Sequence, residues 1–167
     1  SDDRINVLLV DHSPRWEFRY LRNLFFGRDK SVHLQSWLVN PDKLAGAADS
    51  KLPPASAERK FGDAEAGGWP QSREAWRAFD VIILGDLDPL TLTPEIQNEI
   101  RASVADRGAL LVLVSGSRAM PHAFAPDSPL AELVPFTVQQ RESHWQGPEK
   151  SFRLALTPTG QQHPVML

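Results

Sequence analysis

The sequence predicts an α/β protein, a three-layer sandwich built around a mostly parallel, doubly wound sheet. The first basis is a set of three continuous apolar runs, at Ile5–Val10, Val81–Leu84 and Ala109–Val114. Runs of this kind are typical of strands that are buried on both faces of a parallel sheet. The second basis is that segments with helical periodicity separate the runs, as right-handed β–α–β crossovers require.

Composition indicates one domain spanning residues 1–167 and excludes several kinds of site. A chain of 167 residues, 41% of them hydrophobic, is long enough to bury roughly two thirds of its unfolded surface around one core. It contains no cysteine, which excludes disulfides, cysteine zinc sites, iron–sulfur clusters and a cysteine nucleophile. The net charge of −3 argues against a nucleic-acid partner. No apolar run approaches the ~20 residues of a membrane-spanning helix, so we expect no membrane insertion by this segment.

A helix and a second strand are predicted directly after the first strand. Ser13 can cap a helix and Pro14 suits its first turn. We therefore expect a helix over Arg15–Phe25, with an apolar side chain every three or four residues and with Gly27 ending it. The segment Val32–Val39 alternates apolar and polar residues, which is typical of a strand covered on one face.

The predicted first helix carries a stripe of arginines. Arg15, Arg19 and Arg22 are spaced at i, i+4 and i+7, so they share one side of the helix. A solvated basic face is one interpretation of the stripe. Arg15 also lies in the first turn, where free N–H groups and the helix dipole favour an anionic ligand. It is close enough in sequence to Asp11 to be that residue's ion-pair partner instead.

The segment 40–71 shows no periodicity and is rich in proline and glycine. Such a long stretch without regular structure is unusual inside a compact domain. We predict an irregular loop or insertion here. Two interpretations stay open: a mobile functional loop, or an inert insertion that lies over the surface.

Local signals predict the remaining elements. Thr93-Pro94 is typical of a helix start and Gly108 of a helix end, so we expect a helix between them. Shorter patterns predict a helix at Ser72–Phe79, a helical turn at Leu130–Val134, an edge strand at Phe136–Gln140 and a strand at Phe152–Leu156.

Polar side chains follow each of the three apolar runs. In open parallel sheets, ligands bind beyond the carboxyl ends of the strands, and the residues there form the candidate ligand site. The candidate ligand-binding residues are Asp11, Arg15, Asp86, Asp88 and Arg118. Aspartates and serines also gather at strand ends to cap the following helix, so a purely structural role stays open for them.

One alternative function is a serine-dependent hydrolase. Ser115 or Ser117 would be the nucleophile, His122 the base, and a strand-end aspartate would orient the histidine. The Gly-x-Ser-x-Gly pattern of a nucleophile elbow is absent around both serines. This hypothesis therefore requires a hydrogen bond between the imidazole and one of the two hydroxyls.

A third possibility is a divalent-metal site made by strand-end carboxylates. Carboxylate oxygens are the ligands that such cations prefer, but they must converge on one point. The residues concerned are Asp11, Asp86 and Asp88. Our main prediction assigns neither a metal nor a cofactor.

Five stretches, taken in order, resemble a known family. They are VLLVDHSPRWEFRYLRN, DVIILGDLDP, RGALLVLVSGSRAMPHAF, SPLAELVPF and FRLALTPTGQQHPVML. Together they resemble the class I glutamine amidotransferase-like domains of large bacterial membrane-associated proteins, which often carry von Willebrand factor type A modules. The resemblance covers most of the chain apart from 40–71. It implies a flavodoxin-like fold within a longer protein.

The resemblance also implies where catalysis would occur. Active members use a cysteine on a tight strand-to-helix turn, with a histidine and a glutamate from a late His-Pro-Glu stretch. The thiolate attacks the glutamine amide while the histidine moves the proton. The corresponding turn here is 115–117, and the late match is His163-Pro164-Val165. Serine stands in place of cysteine and valine in place of glutamate, so we predict no glutaminase activity.

The leading hypothesis is a catalytically degenerate amidotransferase-like domain that serves as a binding or interaction module. Its expected partners are other domains of the same longer chain or a separate protein, with a small anionic ligand as a further candidate. The polar first residues and the apolar end at 165–167 agree with a domain cut from a longer, envelope-associated protein.

Overall fold

Four strands form one sheet in the computed structural model of the chain, which describes residues 4–42, 52–60, 63–141, 153 and 155–166. The strands are β1 (Ile5–Asp11), β2 (Val32–Leu38), β3 (Val81–Leu84) and β4 (Leu110–Leu113). Their order across the sheet is β2-β1-β3-β4, and every neighbouring pair is parallel. The predicted α/β class with a parallel sheet is therefore confirmed.

Helices connect the strands of this sheet. In the described residues, the helical elements are α1 (Trp16–Arg22), a π-helical segment (Asn23–Arg28), α2 (Arg73–Arg77), α3 (Pro94–Arg107), a 3-10 turn (Ala131–Leu133), α4 (Pro158–Gln161) and a second 3-10 turn (Pro164–Met166). The helix predicted after Thr93-Pro94, the short helix near residues 72–79 and the helical turn near residues 130–134 are all confirmed.

The start of α1 corrects the prediction. Ser13 was expected to cap the helix, but the capping position is Arg15, which has extended backbone angles and makes no side-chain capping bond. The Ser13 carbonyl instead accepts the N–H of Arg15 at 2.7 Å. The α-helix also ends earlier than predicted, because the π-helical segment begins at Asn23. Gly27 does not end the helical stretch as expected, since this segment continues through it to Arg28.

The sheet buries apolar side chains on both faces. Along β1, Val7 and Leu9 join a cluster with Phe18 of α1. The alternate residues of β1 join a second, larger cluster to which Trp76 of α2 and Ile100 of α3 contribute. Alternation of this kind follows from the two-residue period of a strand. It explains why the run reads as continuously apolar.

The part of 40–71 that the structure describes has no helix or strand, as predicted, but it packs against the sheet rather than lying loosely over it. The Ser36 N–H donates to the carbonyl of Ala64 at 2.6 Å, and the Ala66 N–H donates to the carbonyl of Ser36 at 2.8 Å. Trp69 lies between Trp37 and Trp76, with ring centroids 5.2 and 5.7 Å apart. The described segment therefore supplies core contacts.

Two predicted strands are not found. The residues of Phe136–Gln140 form no strand; Phe136 is exposed while Val138 is buried in the larger core cluster. The apolar and polar residues that alternate over 136–138 therefore reflect the burial of one side chain, Val138, and not a ladder of backbone hydrogen bonds. Within Phe152–Leu156, positions 152 and 154 lie outside the described residues. The remaining three positions are not in a strand.

Gly108 ends α3 in the left-handed conformation, with φ of 77°, as its position in the sequence predicts. We expect Gly108→Ala to lower the free energy of unfolding by about 1 kcal/mol, because a Cβ is strained at this φ. Gly27→Ala is the matched control, since a Cβ there meets no atom within 4 Å and φ is not positive. Urea unfolding of both variants measures the difference. Equal stability of the two would contradict this assignment.

Candidate functional site

The strand order reverses between the carboxyl ends of β1 and β3. From β1 the chain moves to β2 on one side, and it then crosses to β3 on the other side of β1. In doubly wound sheets, ligands bind at this reversal of strand order. The candidate residues after β1, β3 and β4 meet at this edge of the sheet.

The buried carboxylate of Asp11 forms an ion pair with the partly exposed Arg15 at the end of β1. The Asp11 side chain is 2% exposed, and its Oδ2 lies 2.9 Å from Nη2 of Arg15. The Nε of Arg15 donates to both carboxylate oxygens at 3.2 Å. The same guanidinium donates to the carbonyls of Val114 and Ser115, both at 3.1 Å. Arg15 therefore connects the end of β1 to the end of β4, and of the interpretations considered for it, the pairing with Asp11 is the one found.

A glycine makes room for this ion pair. Gly85 follows β3, between the ends of β1 and β4, and a Cβ at this position would lie 2.1 Å from Cγ of Asp11. A real Cβ does not approach another heavy atom this closely, so any side chain here would displace the carboxylate. The N–H of Gly85 donates to the carbonyl of Val10 at 2.7 Å, which keeps its backbone close to β1.

Asp86 organises the loop after β4. Its carboxylate accepts three backbone N–H groups, each at 2.8 Å, from Arg118, Ala119 and Met120. Gly116 allows the approach, since a Cβ there would lie 2.1 Å from Oδ2 of Asp86. The side chain is almost fully buried. Asp86 is thus the anchor of the segment that contains the candidate serines.

The surroundings of Asp86 keep it ionised. Burial raises the pKa of this carboxyl, but the backbone hydrogen bonds from Met120, Arg118 and Ala119 and the positive charge of Arg15 lower it by more. The net result is a pKa below the ordinary value for an aspartate. The nest of N–H groups therefore holds a negative charge.

Asp88 pairs with Arg118 beside this loop. The Arg118 Nη2 lies 2.5 Å from Oδ2 of Asp88, and the backbone N–H of Thr91 donates to Oδ1 at 2.8 Å. Burial raises the pKa of Asp88, but the hydrogen bonds from Arg118 and Thr91 and the charge of Arg118 bring it below the ordinary value. The candidate carboxylates are therefore already bound to groups of this chain.

His12 lies at the same edge, and its pKa is below the ordinary value for a histidine. Burial lowers its pKa, and the charge of Arg118 lowers it further, while the neighbouring carboxylates of Asp88, Asp86 and Asp11 oppose the shift. Its Nδ1 is buried without a hydrogen-bond partner among the described residues, as is the Nη1 of Arg118.

The hydrolase hypothesis requires a contact that the described residues do not make. Ser115 and Ser117 are exposed. The Nε2 of His122 is buried without a hydrogen-bond partner among the described residues, and its backbone carbonyl accepts the N–H of Arg141. No hydrogen bond joins the imidazole to either serine hydroxyl in the described part of the chain. The relay between hydroxyl, base and carboxylate is not formed in this structure.

The carboxylates of Asp11, Asp86 and Asp88 do not converge. Arg15 binds the first, backbone N–H groups bind the second, and Arg118 binds the third. Among the residues that the structure describes, no group of three histidine, aspartate or glutamate side chains is arranged to hold a metal ion.

Two features of this edge were missed by sequence reasoning. Gly85 leaves room for the Asp11 carboxylate and Gly116 for the Asp86 carboxylate, and neither glycine was predicted to contribute to the site. A glycine beside a strand end that also carries an aspartate is the signal that could have identified them, because close backbone approach requires glycine. The second missed feature is the N–H nest around Asp86, for which the sequence offers no local sign.

Comparison of the chain with models of known protein families, with curated proteins and with solved structures finds no significant match. In the parts of the chain described above, no helix combines the length and the apolar character that crossing a membrane demands.

Arg15→Met tests the ion pair at the end of β1. The variant leaves the buried Asp11 carboxylate without its cation, so we expect the free energy of unfolding to fall by about 3 kcal/mol. Arg101→Met is the matched control, because its pair with Glu132 is largely exposed and should contribute less than about 1 kcal/mol. Urea unfolding followed by tryptophan fluorescence measures both. Similar losses in the two variants would contradict the assignment.

Asp86→Asn tests the anchor through its pH dependence. Since the pKa of Asp86 is lowered on folding, ionised Asp86 stabilises the protein above its ordinary pKa of 3.8, and this contribution is lost as the pH falls through the lowered value. We expect the variant to lose about 2 kcal/mol at neutral pH. The difference from the parent protein should shrink below about pH 4.

Urea unfolding at a series of pH values measures this difference. Asp127→Asn is the control, because Asp127 is exposed, and it should match the parent protein at neutral pH. A difference between Asp86→Asn and the parent that stays constant down to acid pH would show that the carboxylate charge is not what the loop requires.

Proposed function

We propose that the chain is a glutamine amidotransferase-like domain of flavodoxin-like fold that lacks glutaminase activity and serves as a binding or interaction module within a longer, envelope-associated bacterial protein. The strand order β2-β1-β3-β4 supports the fold, since it agrees with the first four positions of the order 2-1-3-4-5. Apolar packing on both faces of the sheet is what a three-layer sandwich requires.

The occupied N–H nest is the observation that carries this proposal. Hydrolysis of an amide or ester develops an oxyanion, which enzymes stabilise with free N–H groups aimed at it. Here the N–H groups of Arg118, Ala119 and Met120, which follow the candidate serines, all donate to Asp86. An oxyanion would have to displace a buried carboxylate from them and would be repelled by its charge.

The segment after β4 also lacks the geometry of a nucleophile elbow. Such an elbow places the nucleophile on a sharp turn between a strand and a helix. After β4 the chain runs without helix until the 3-10 turn at Ala131–Leu133, and all residues of that stretch are described. Together with the absence of cysteine from the sequence, this favours a domain that does not catalyse acyl transfer.

Charge balance at this edge favours a protein partner over a small anionic ligand. Three carboxylates, those of Asp11, Asp86 and Asp88, face two guanidinium groups, those of Arg15 and Arg118. The lowered pKa of His12 keeps its imidazole neutral near pH 7. An incoming anion would therefore add to a net negative charge. A surface that binds a partner is therefore better sought among side chains that lie away from the strand ends.

Activity assays test the proposal directly. We expect no release of ammonia from glutamine, and no hydrolysis of p-nitrophenyl acetate that depends on the candidate serines, because neither an oriented base nor a free oxyanion hole is present among the described residues. The measurements use coupled detection of ammonia and absorbance of nitrophenolate. The variants are Ser115→Ala, Ser117→Ala and His122→Ala, with the parent protein as reference.

One result would overturn the proposal in favour of the hydrolase: a rate above the uncatalysed reaction that falls by about a hundredfold or more in one serine variant and in His122→Ala, as loss of a catalytic nucleophile or base does. A small rate that is equal in all four proteins is background ester hydrolysis and agrees with the proposal.

A further inference from the structure

One face of α1 and the π-helical segment exposes large apolar side chains. Trp16, Tyr20 and Leu24 recur every four residues and are 77%, 72% and 44% exposed. Residues at this spacing lie one above the other on a helix. Isolated exposed apolar residues are ordinary on a protein surface, but a contiguous set is typical of an interaction site. We call these three residues the Trp16 face.

Cationic side chains flank the Trp16 face. A groove of about 400 Å³ is lined by Tyr20, Asn23, Leu24 and Arg28. Arg28 makes no ion pair with any residue that the structure describes. Arg19 reaches only one acidic side chain there, in an exposed pair with an N–O distance of 3.6 Å, and such a pair contributes little energy.

The rest of the helix is held firmly against the protein. Phe18 is buried in the core on this face of the sheet, and Arg15 is bound to the ends of β1 and β4. The Nη2 of Arg22 lies 2.8 Å from Oε1 of Glu65, and the Arg22 guanidinium lies over the ring of Phe26. A partner would therefore meet a helix that is already ordered, which reduces the entropy lost on binding.

We propose that the Trp16 face binds an acidic segment of a protein partner, which places an apolar side chain between Tyr20 and Leu24 and a carboxylate against Arg28. Charge complementarity identifies the partner's chemistry. With Arg15 and Arg22 bound to carboxylates of this chain, residues 15–30 leave three cations, Arg19, Arg28 and Lys30, against two acidic side chains, although the whole chain has a net charge of −3. Tryptophan, tyrosine and arginine are also the residues that most often dominate binding energy. The inference rests on the proposed function as an interaction module and names its partner.

Two other occupants fit the observations less well. A polybasic membrane site typically gathers about four to eight cations, whereas Arg15 and Arg22 are engaged by carboxylates of this chain and leave only three others in 15–30. A symmetric dimer through this face would place two cationic surfaces against each other. A partner with acidic residues avoids both difficulties.

Selection from a random peptide library on the immobilised full chain tests the proposal. We expect the selected peptides to be rich in aspartate and glutamate around one large apolar residue. Their affinities, measured by fluorescence anisotropy, should be about tenfold weaker for Trp16→Ala and for Arg28→Ala and should fall as salt is added. Leu90→Ala is the matched control, because Leu90 is also highly exposed but lies in the turn before α3, and it should bind like the parent protein.

Any of four results would overturn the inference. In the first, the selected peptides carry no acidic excess. In the second, their binding is the same in Trp16→Ala and the control. In the third, vesicles containing phosphatidylserine bind with the same dependence on Trp16 and Arg28, which would assign the face to a membrane surface. In the fourth, sedimentation shows a dimer that Trp16→Ala dissociates, which would assign the face to a second copy of the chain. Circular dichroism verifies that each variant is folded, and the hydrolysis assays above test the proposed function independently of these results.

Discussion

The carboxyl edge of the sheet depends on the neutralisation of two buried carboxylates, one by an arginine four residues away and the other by backbone N–H groups more than thirty residues later. Burying an unpaired carboxylate costs several kcal/mol even after the protein relaxes, so each one requires partners. Asp11 obtains them from Arg15, which also reaches the carbonyls at the end of β4. Asp86 obtains them from the backbone of the loop after β4. Charged hydrogen bonds thereby join β1, β3 and β4 where the apolar core ends.

This arrangement connects the edge of the sheet to the exposed helix. Arg15 occupies the capping position of α1, and Trp16 is the next residue. Because the guanidinium is bound on one side by Asp11 and on the other by the end of β4, the first turn of α1 has a defined position. The same contacts hold the Asp11 carboxylate internally. The fixed position of the Trp16 face, which we propose as a binding surface, and the internal pairing of Asp11 thus have one physical origin.

The elements that sequence reasoning identified are those determined by local patterns. The strands follow from continuous apolar runs, and α3 follows from its start at Pro94 and its end at Gly108. The position of the candidate site also followed, because strand ends in a parallel sheet meet at one edge. The pairing of Asp11 with Arg15 was among the open alternatives, since the two residues are one helical turn apart.

The errors occur where a contact spans a long stretch of sequence. Ser13 was expected to cap α1, but Arg15 takes that position while bonded to the carbonyl of Ser115, 100 residues away. The role of Asp86 depends on N–H groups more than thirty residues later. The strand expected at 136–140 fails because the burial of Val138 imitates the alternation of a paired strand. None of these can be inferred from neighbouring residues.

The backbone hydrogen bonds of Ser36 in β2 form an isolated β-bridge with Glu65, and this bridge limits how the protein can aggregate. β2 lies at one end of the sheet, and the outer backbone of such a strand offers unpaired N–H and C=O groups that can recruit a strand from another molecule. Here the segment around residues 64–66 occupies the N–H and the carbonyl of Ser36. The irregular region therefore covers the middle of this edge and hinders the addition of another molecule's strand there, which is how ordered aggregates grow.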